Sequence, residues 1–137
     1  MMKSVVSLLL FAYFVIFAGC KKDESLPFTG KWLVVVSYEA GTVSDEVILN
    51  IVQIPDNKIT GTYDFVNSDN KTEEIVESQI SGQSLSFSID IERFSPYSKF
   101  HFSGMADKNY QTLSGTWHRM NMDCNTCNGT WLGEKVE

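Results

Sequence analysis

Ser84-Leu85-Ser86-Phe87-Ser88-Ile89-Asp90-Ile91-Glu92 alternates apolar and polar residues without interruption. A strand sends successive side chains to opposite faces, so Leu85, Phe87, Ile89 and Ile91 share one face while Ser86, Ser88 and Asp90 share the other. Such a segment is a half-buried strand. Just upstream, Ser81-Gly82-Gln83 carries the residues of a tight hairpin, which joins this strand to a preceding run of the same period. Further upstream, Ile59, Gly61, Tyr63 and Phe65 oppose Thr60, Thr62 and Asp64 in the same way.

Extended along the chain, the period predicts eight strands, at 31–39, 45–54, 58–66, 72–80, 84–92, 98–106, 111–120 and 128–136. Between them lie short breaks rich in turn residues. Pro55-Asp56-Asn57 reads as a type I turn, and Ser68-Asp69-Asn70-Lys71 and Asp107-Lys108-Asn109-Tyr110 read as further hairpin links. No segment of this region carries a 3.6-residue apolar stripe long enough for a helix. Links this short force antiparallel pairing, because a parallel crossover needs about a dozen residues or more. The expected fold is all-β, an eight-stranded antiparallel up-and-down barrel, since closure removes the two bare edges an open meander would leave. A two-sheet sandwich would need longer links that cross between sheets. A membrane barrel would present apolar residues outward, whereas here the outward positions are short and polar.

The inward set extrapolated from the alternation includes Trp32, Tyr38, Tyr63, Phe65, Phe87, Phe100, Phe102, Trp117 and Trp131. Eight strands enclose room for packed side chains or for one small ligand. Nine aromatic rings should occupy much of that room, with glycines 61, 104, 115 and 133 giving some of it back. The expectation is a mostly packed interior with a shallow apolar pocket at the open end, where Tyr38, Tyr63 and Trp117 are the candidate ligand-binding residues.

The first 20 residues have a different character. A basic start at Lys3 is followed by an apolar run, 5–18, interrupted only by Ser7 and Tyr13, and the run stops at Phe17-Ala18-Gly19-Cys20. A membrane helix needs about 20 residues, so this run is short for a span. It has the charge, length and small-residue ending of an export signal. Phe17-Ala18-Gly19-Cys20 resembles the lipobox of bacterial lipoproteins, with Phe17 departing from the usual leucine. The resemblance implies cleavage before Cys20 and a lipid on its sulfur, hence a signal peptide at 1–19, a tether at 20–27 and the barrel domain at 28–137. Lys22, Asp23 and Glu24 resemble the export signal of Bacteroidota-type surface lipoproteins. That likeness implies a lipid anchor in the outer membrane with the domain facing the cell exterior.

The net charge is −6, and no basic cluster follows Lys21 and Lys22, which sets nucleic acid aside as a partner. Glu73, Glu74 and Glu77 read as the solvated face and edge of a strand. Cys124-Asn125-Thr126-Cys127 precedes the last strand. In an exported protein its default reading is a local disulfide. A redox pair usually sits at a helix N-terminus, and a strand follows here instead. Half a zinc site, with His118 and Asp123 nearby in sequence, stays open as a third reading. His101 and His118 lie on different strands without a nucleophile motif, and Asp90 with Glu92 reads as two solvated positions at a strand end. No catalytic residue, resident metal or cofactor is expected.

Phe28-Thr29-Gly30-Lys31-Trp32, on the first strand, resembles the Gly-x-Trp opening of the calycins: the lipocalins, fatty-acid-binding proteins and avidins. Ile59-Thr60-Gly61-Thr62-Tyr63 and Leu113-Ser114-Gly115-Thr116-Trp117 are similar to avidin-type strands. The resemblance implies that Trp32 plugs the barrel floor, with Gly30 leaving room beside it. Lipocalins typically set an arginine from the last strand across the tryptophan, and this chain departs from that pattern, with Lys135 the only basic residue available there. The two helices of the fatty-acid-binding group cannot fit in 40–44, and the polar set with which avidins hold biotin is missing. Two functions follow: a small apolar or sugar-like ligand in the barrel, or a packed scaffold whose loops contact an envelope protein. An enzyme is the least supported class.

Overall fold

The computed structural model describes residues 26–39, 44–67, 72–91, 98–120 and 127–137. Eight strands follow in order: β1 (Gly30–Tyr38), β2 (Ser44–Ile54), β3 (Lys58–Phe65), β4 (Thr72–Ser81), β5 (Ser84–Ile91), β6 (Ser98–Ala106), β7 (Thr112–Arg119) and β8 (Asn128–Lys135). Each pairs antiparallel with the next, and β8 returns to β1, from Trp32 opposite Lys135 to Tyr38 opposite Gly129. The result is the closed eight-stranded barrel the alternation predicts. All nine aromatic residues of the inward set lie in the core or pack against it.

The two ends differ. The links β2–β3, β4–β5 and β6–β7 lie at one end, with the segment that precedes β1 and the chain's last residues, and this end is closed. Phe28 is fully buried here, and its ring meets Tyr110 edge-on at 5.1 Å. Trp32 lies above it, also fully buried, and its Nε1 donates to Phe28 O at 3.1 Å. Lys135 crosses the indole with Nζ 5.2 Å from the ring centroid and donates to Pro27 O at 2.8 Å. Burial lowers the Lys135 pKa from its ordinary value. Gly30 is required at this junction. Its φ is 147°, and an added Cβ would stand 2.3 Å from Glu137 O.

Two features depart from the sequence reading. Asp56 and Asn57 have φ of 68° and 56°, so the β2–β3 link is left-handed at both residues and not type I. That hand matches the twist of paired strands, and Asp and Asn tolerate it best after glycine. In β4 a bulge sits between Val76 and Ser78, with Glu77 at φ 48°. Among the described residues β3 and β4 pair from Thr62 to Asp64 opposite Glu74 to Thr72. Below that short ladder a side chain replaces the missing backbone bonds: Ile59 N donates to Ser78 Oγ, and the same hydroxyl donates to Ile59 O, each at 2.8 Å. Ser78→Ala leaves both backbone groups of Ile59 without this partner and should cost about 1–3 kcal/mol, read as a lower urea midpoint at unchanged slope.

Candidate functional site

The strand ends at Tyr38, Ser44, Phe65, Thr72, Ile91, Ser98, Arg119 and Asn128 lie at the other end of the barrel, where a cavity of about 420 Å³ opens. Its apolar wall includes Val36, Phe65, Ile89, Ile91, Phe100 and Phe102. Tyr38, Tyr63 and Trp117, the three sequence candidates, all line it. The interior is therefore less filled than nine rings suggest, and the reason is how the rings pack. Phe87 and Phe102 stack at 5.0 Å with planes 4° apart, and Trp131 stands edge-on to both at 6.0 and 5.9 Å. Trp131 fits because Gly104 is opposite: an added Cβ there would be 2.6 Å from its ring. This stack fills the middle of the barrel and leaves the upper part open.

Trp117 is pinned to the wall. Its Nε1 donates to Ser37 O at 3.0 Å, its ring meets Tyr38 edge-on at 5.2 Å, and Phe100 tilts against it at 5.8 Å. Tyr38 in turn donates its hydroxyl to Asp45 Oδ2 at 2.6 Å. Tyr63 lies deeper, against Phe65 at 5.2 Å and Phe102 at 5.7 Å.

Arg119 also lines this cavity, and sequence reasoning missed it. The signal was present: Leu113, Gly115, Trp117 and Arg119 recur at period two, so the last of them shares the inward face. Its Nη2 donates to the hydroxyl of Ser98, itself buried, and its Cζ lies 5.9 Å from the Phe100 centroid. Arg119 N donates to Cys127 O at 2.6 Å, which holds Cys127 beside it on the wall. Cys127 is 5 % exposed. Its expected disulfide partner Cys124 lies outside the described residues, as do the lipidation candidate Cys20, the export residues Lys22, Asp23 and Glu24, and the zinc candidate Asp123. Among the described residues no group of three or more His, Cys, Asp or Glu is placed to hold a metal ion.

On the outer wall His101 and His118 face each other across β6 and β7, ring centroids 5.3 Å apart, and Ser88 Oγ lies 3.0 Å from His101 Nδ1. Glu77 of β4 and Lys99 of β6 also act on His101, and Lys99 reaches Glu77 at 2.6 Å. Burial, then repulsion from His118 and Lys99, lowers the His101 pKa below its ordinary 6.5, against an opposing pull from Glu77. A lowered histidine pKa means the unfolded chain binds the proton more readily than the native one. Its contribution to stability is therefore present above 6.5 and lost as pH falls below that value. Urea midpoints should fall between pH 7.5 and 5.5, and His101→Gln should flatten that slope. Asp90, expected at a solvated strand end, instead has a buried Oδ1 with no hydrogen-bond partner among the described residues, while Glu92 lies outside them.

No protein-family model matches this chain, and neither a curated protein nor a solved structure matches it. The fold and the cavity define a small closed β-barrel with an internal, mostly apolar site.

Proposed function

We propose that this protein is a lipid-anchored barrel, held by Cys20 in the outer membrane and facing the cell exterior, that binds one small molecule. The observation that carries the reading is the cavity at the open end, about 420 Å³ and walled mainly by apolar side chains with a few polar groups. Ligand sites commonly measure about 300–1,000 Å³ and combine an apolar wall with a few orienting polar groups. The cavity suits an apolar body seated against Phe65, Phe100, Phe102 and Ile89. A polar end then meets Arg119 or the Tyr38–Asp45 pair. The likeness to calycins is a proposal of the same standing, supported by Trp32 at the floor with Lys135 across it.

A second reading, a scaffold that docks an envelope protein, draws support from the outer wall. Met105 and Leu132 both stand opposite Ser114 in register and are 57 % and 54 % exposed. Native mass spectrometry of the mature chain, followed by titration with 1-anilinonaphthalene-8-sulfonate, separates the two. A copurifying adduct lost on activation, or saturable one-to-one probe binding, supports the ligand site. A clean apo mass with no probe binding shifts the assignment to the scaffold.

A further inference from the structure

The chain enters the barrel at its closed end, and its entry is fixed in place. Thr29 N donates to Leu26 O at 3.0 Å, Phe28 N donates to Gln53 Oε1 at 3.3 Å, and Lys135 holds Pro27 O. With Phe28 fully buried against Tyr110 and Trp32, this segment cannot swing toward the mouth without unplugging the floor. Cys20 precedes Leu26 by six residues. Fully extended at about 3.5 Å per residue, that stretch reaches about 20 Å. Strands of eight to eleven residues, rising about 3.3 Å each and tilted about 40°, place the mouth about 20–28 Å from the floor.

A tether that leaves the floor and, even fully extended, reaches no farther than the barrel is tall leaves no slack to bring the mouth down to the surface that holds its own lipid. We propose that the closed end faces the bilayer and the cavity opens away from it, so that the ligand is exchanged with the aqueous side and not with the anchoring leaflet. This rests on the proposed lipidation of Cys20. The closed end also exposes Leu26, Ile54 and Val136, with 47 %, 37 % and 49 % of their surface open, and these are the apolar groups that meet the headgroup layer. Val66 and Met120 are exposed beside the opposite end, where an arriving ligand meets them.

Energy transfer from the protein to the bilayer tests the orientation. The full chain, produced with its signal in a lipidating host, is reconstituted into phosphatidylethanolamine–phosphatidylglycerol vesicles carrying a headgroup-linked acceptor dye. A fluorescent amino acid is placed at position 109 on the closed end, or at position 67 beside the mouth. Transfer from position 109 should be several-fold the higher. A flexible 20-residue insert between Glu24 and Ser25 should level the two. Equal or reversed transfer from a chain whose mass carries the acyl groups would overturn the orientation while leaving the anchor standing. A chain without acyl mass that stays in solution would instead overturn the anchor reading, and the inference with it.

Discussion

Trp32→Ala is expected to remove about 3–5 kcal/mol of stability, the usual cost of deleting a large buried aromatic. A domain of this size commonly holds only about 5–15 kcal/mol in all, so about a fifth or more of the margin is at stake. The expected loss lies at the upper end because three structures converge on one ring. The indole donates to Phe28 O, its face meets the Lys135 ammonium, and the Pro27 carbonyl accepts from that same lysine. Removing the ring leaves Phe28 over a void and Lys135 without the face it crosses. Trp32→Phe keeps most of the apolar volume but loses the hydrogen bond and should cost nearer 1–2 kcal/mol, as about 1 kcal/mol is typical for one bond. Urea unfolding of the two variants checks the ranking. A Trp32→Ala loss below about 1 kcal/mol would mean that the floor is not a unit of the core, since simple cavity terms alone exceed that.

The barrel was legible because its evidence is local and repeated. Period two in each run selects a strand, and links such as Ser81-Gly82-Gln83 select the antiparallel neighbour. Closure follows from the cost of bare edges. The observed β5, Ser84–Ile91, follows the predicted run to the last residue described there. Trp32, Gly30 and Lys135 were legible as a floor only through a resemblance, and the geometry places them together. What escaped depends on contacts distant in sequence. Glu77 carries no mark of a bulge, since a left-handed φ there is set by how β4 meets β5 and not by the residue itself. Ser78 looks like any polar strand residue until Ile59 is found against it.

A pocket at the open end lined by Tyr38, Tyr63 and Trp117 was legible, and only its size escaped, for a related reason. A count of inward rings gives their volume and not their arrangement, and stacking of Phe87 on Phe102 concentrates that volume in the middle of the barrel. Arg119 was passed over although its spacing from Trp117 puts it on the inward face. An arginine is ordinarily read as a solvated strand end. Here Ser98 and Phe100 give its head a hydrogen bond and a ring to rest on, so that it can stay at an apolar wall.

Trp117→Ala is expected to weaken binding of 1-anilinonaphthalene-8-sulfonate by about tenfold or more, equivalent to about 1.4 kcal/mol or more at 25 °C. The indole is 2 % exposed and lines the cavity, edge-on to Tyr38 and against Phe100. Its loss leaves a void in the cavity wall, admits water behind the ligand and removes the edge that orients Tyr38. The variant should also lose about 3–5 kcal/mol of stability, so binding must be read where the chain is still folded, well below its melting point. Trp117→Phe separates the causes. Phenylalanine keeps an aromatic wall but cannot donate to Ser37 O, so the wall account predicts nearly native probe affinity with a small stability loss, about 1 kcal/mol for the bond. Tyr63→Phe, deeper in the same cavity, deletes only a hydroxyl and should leave affinity for an apolar probe within about threefold, whereas a ligand that uses this hydroxyl would lose about 0.5–1.5 kcal/mol. Unchanged probe affinity in folded Trp117→Ala would place the probe elsewhere on the barrel and remove the cavity as the binding site.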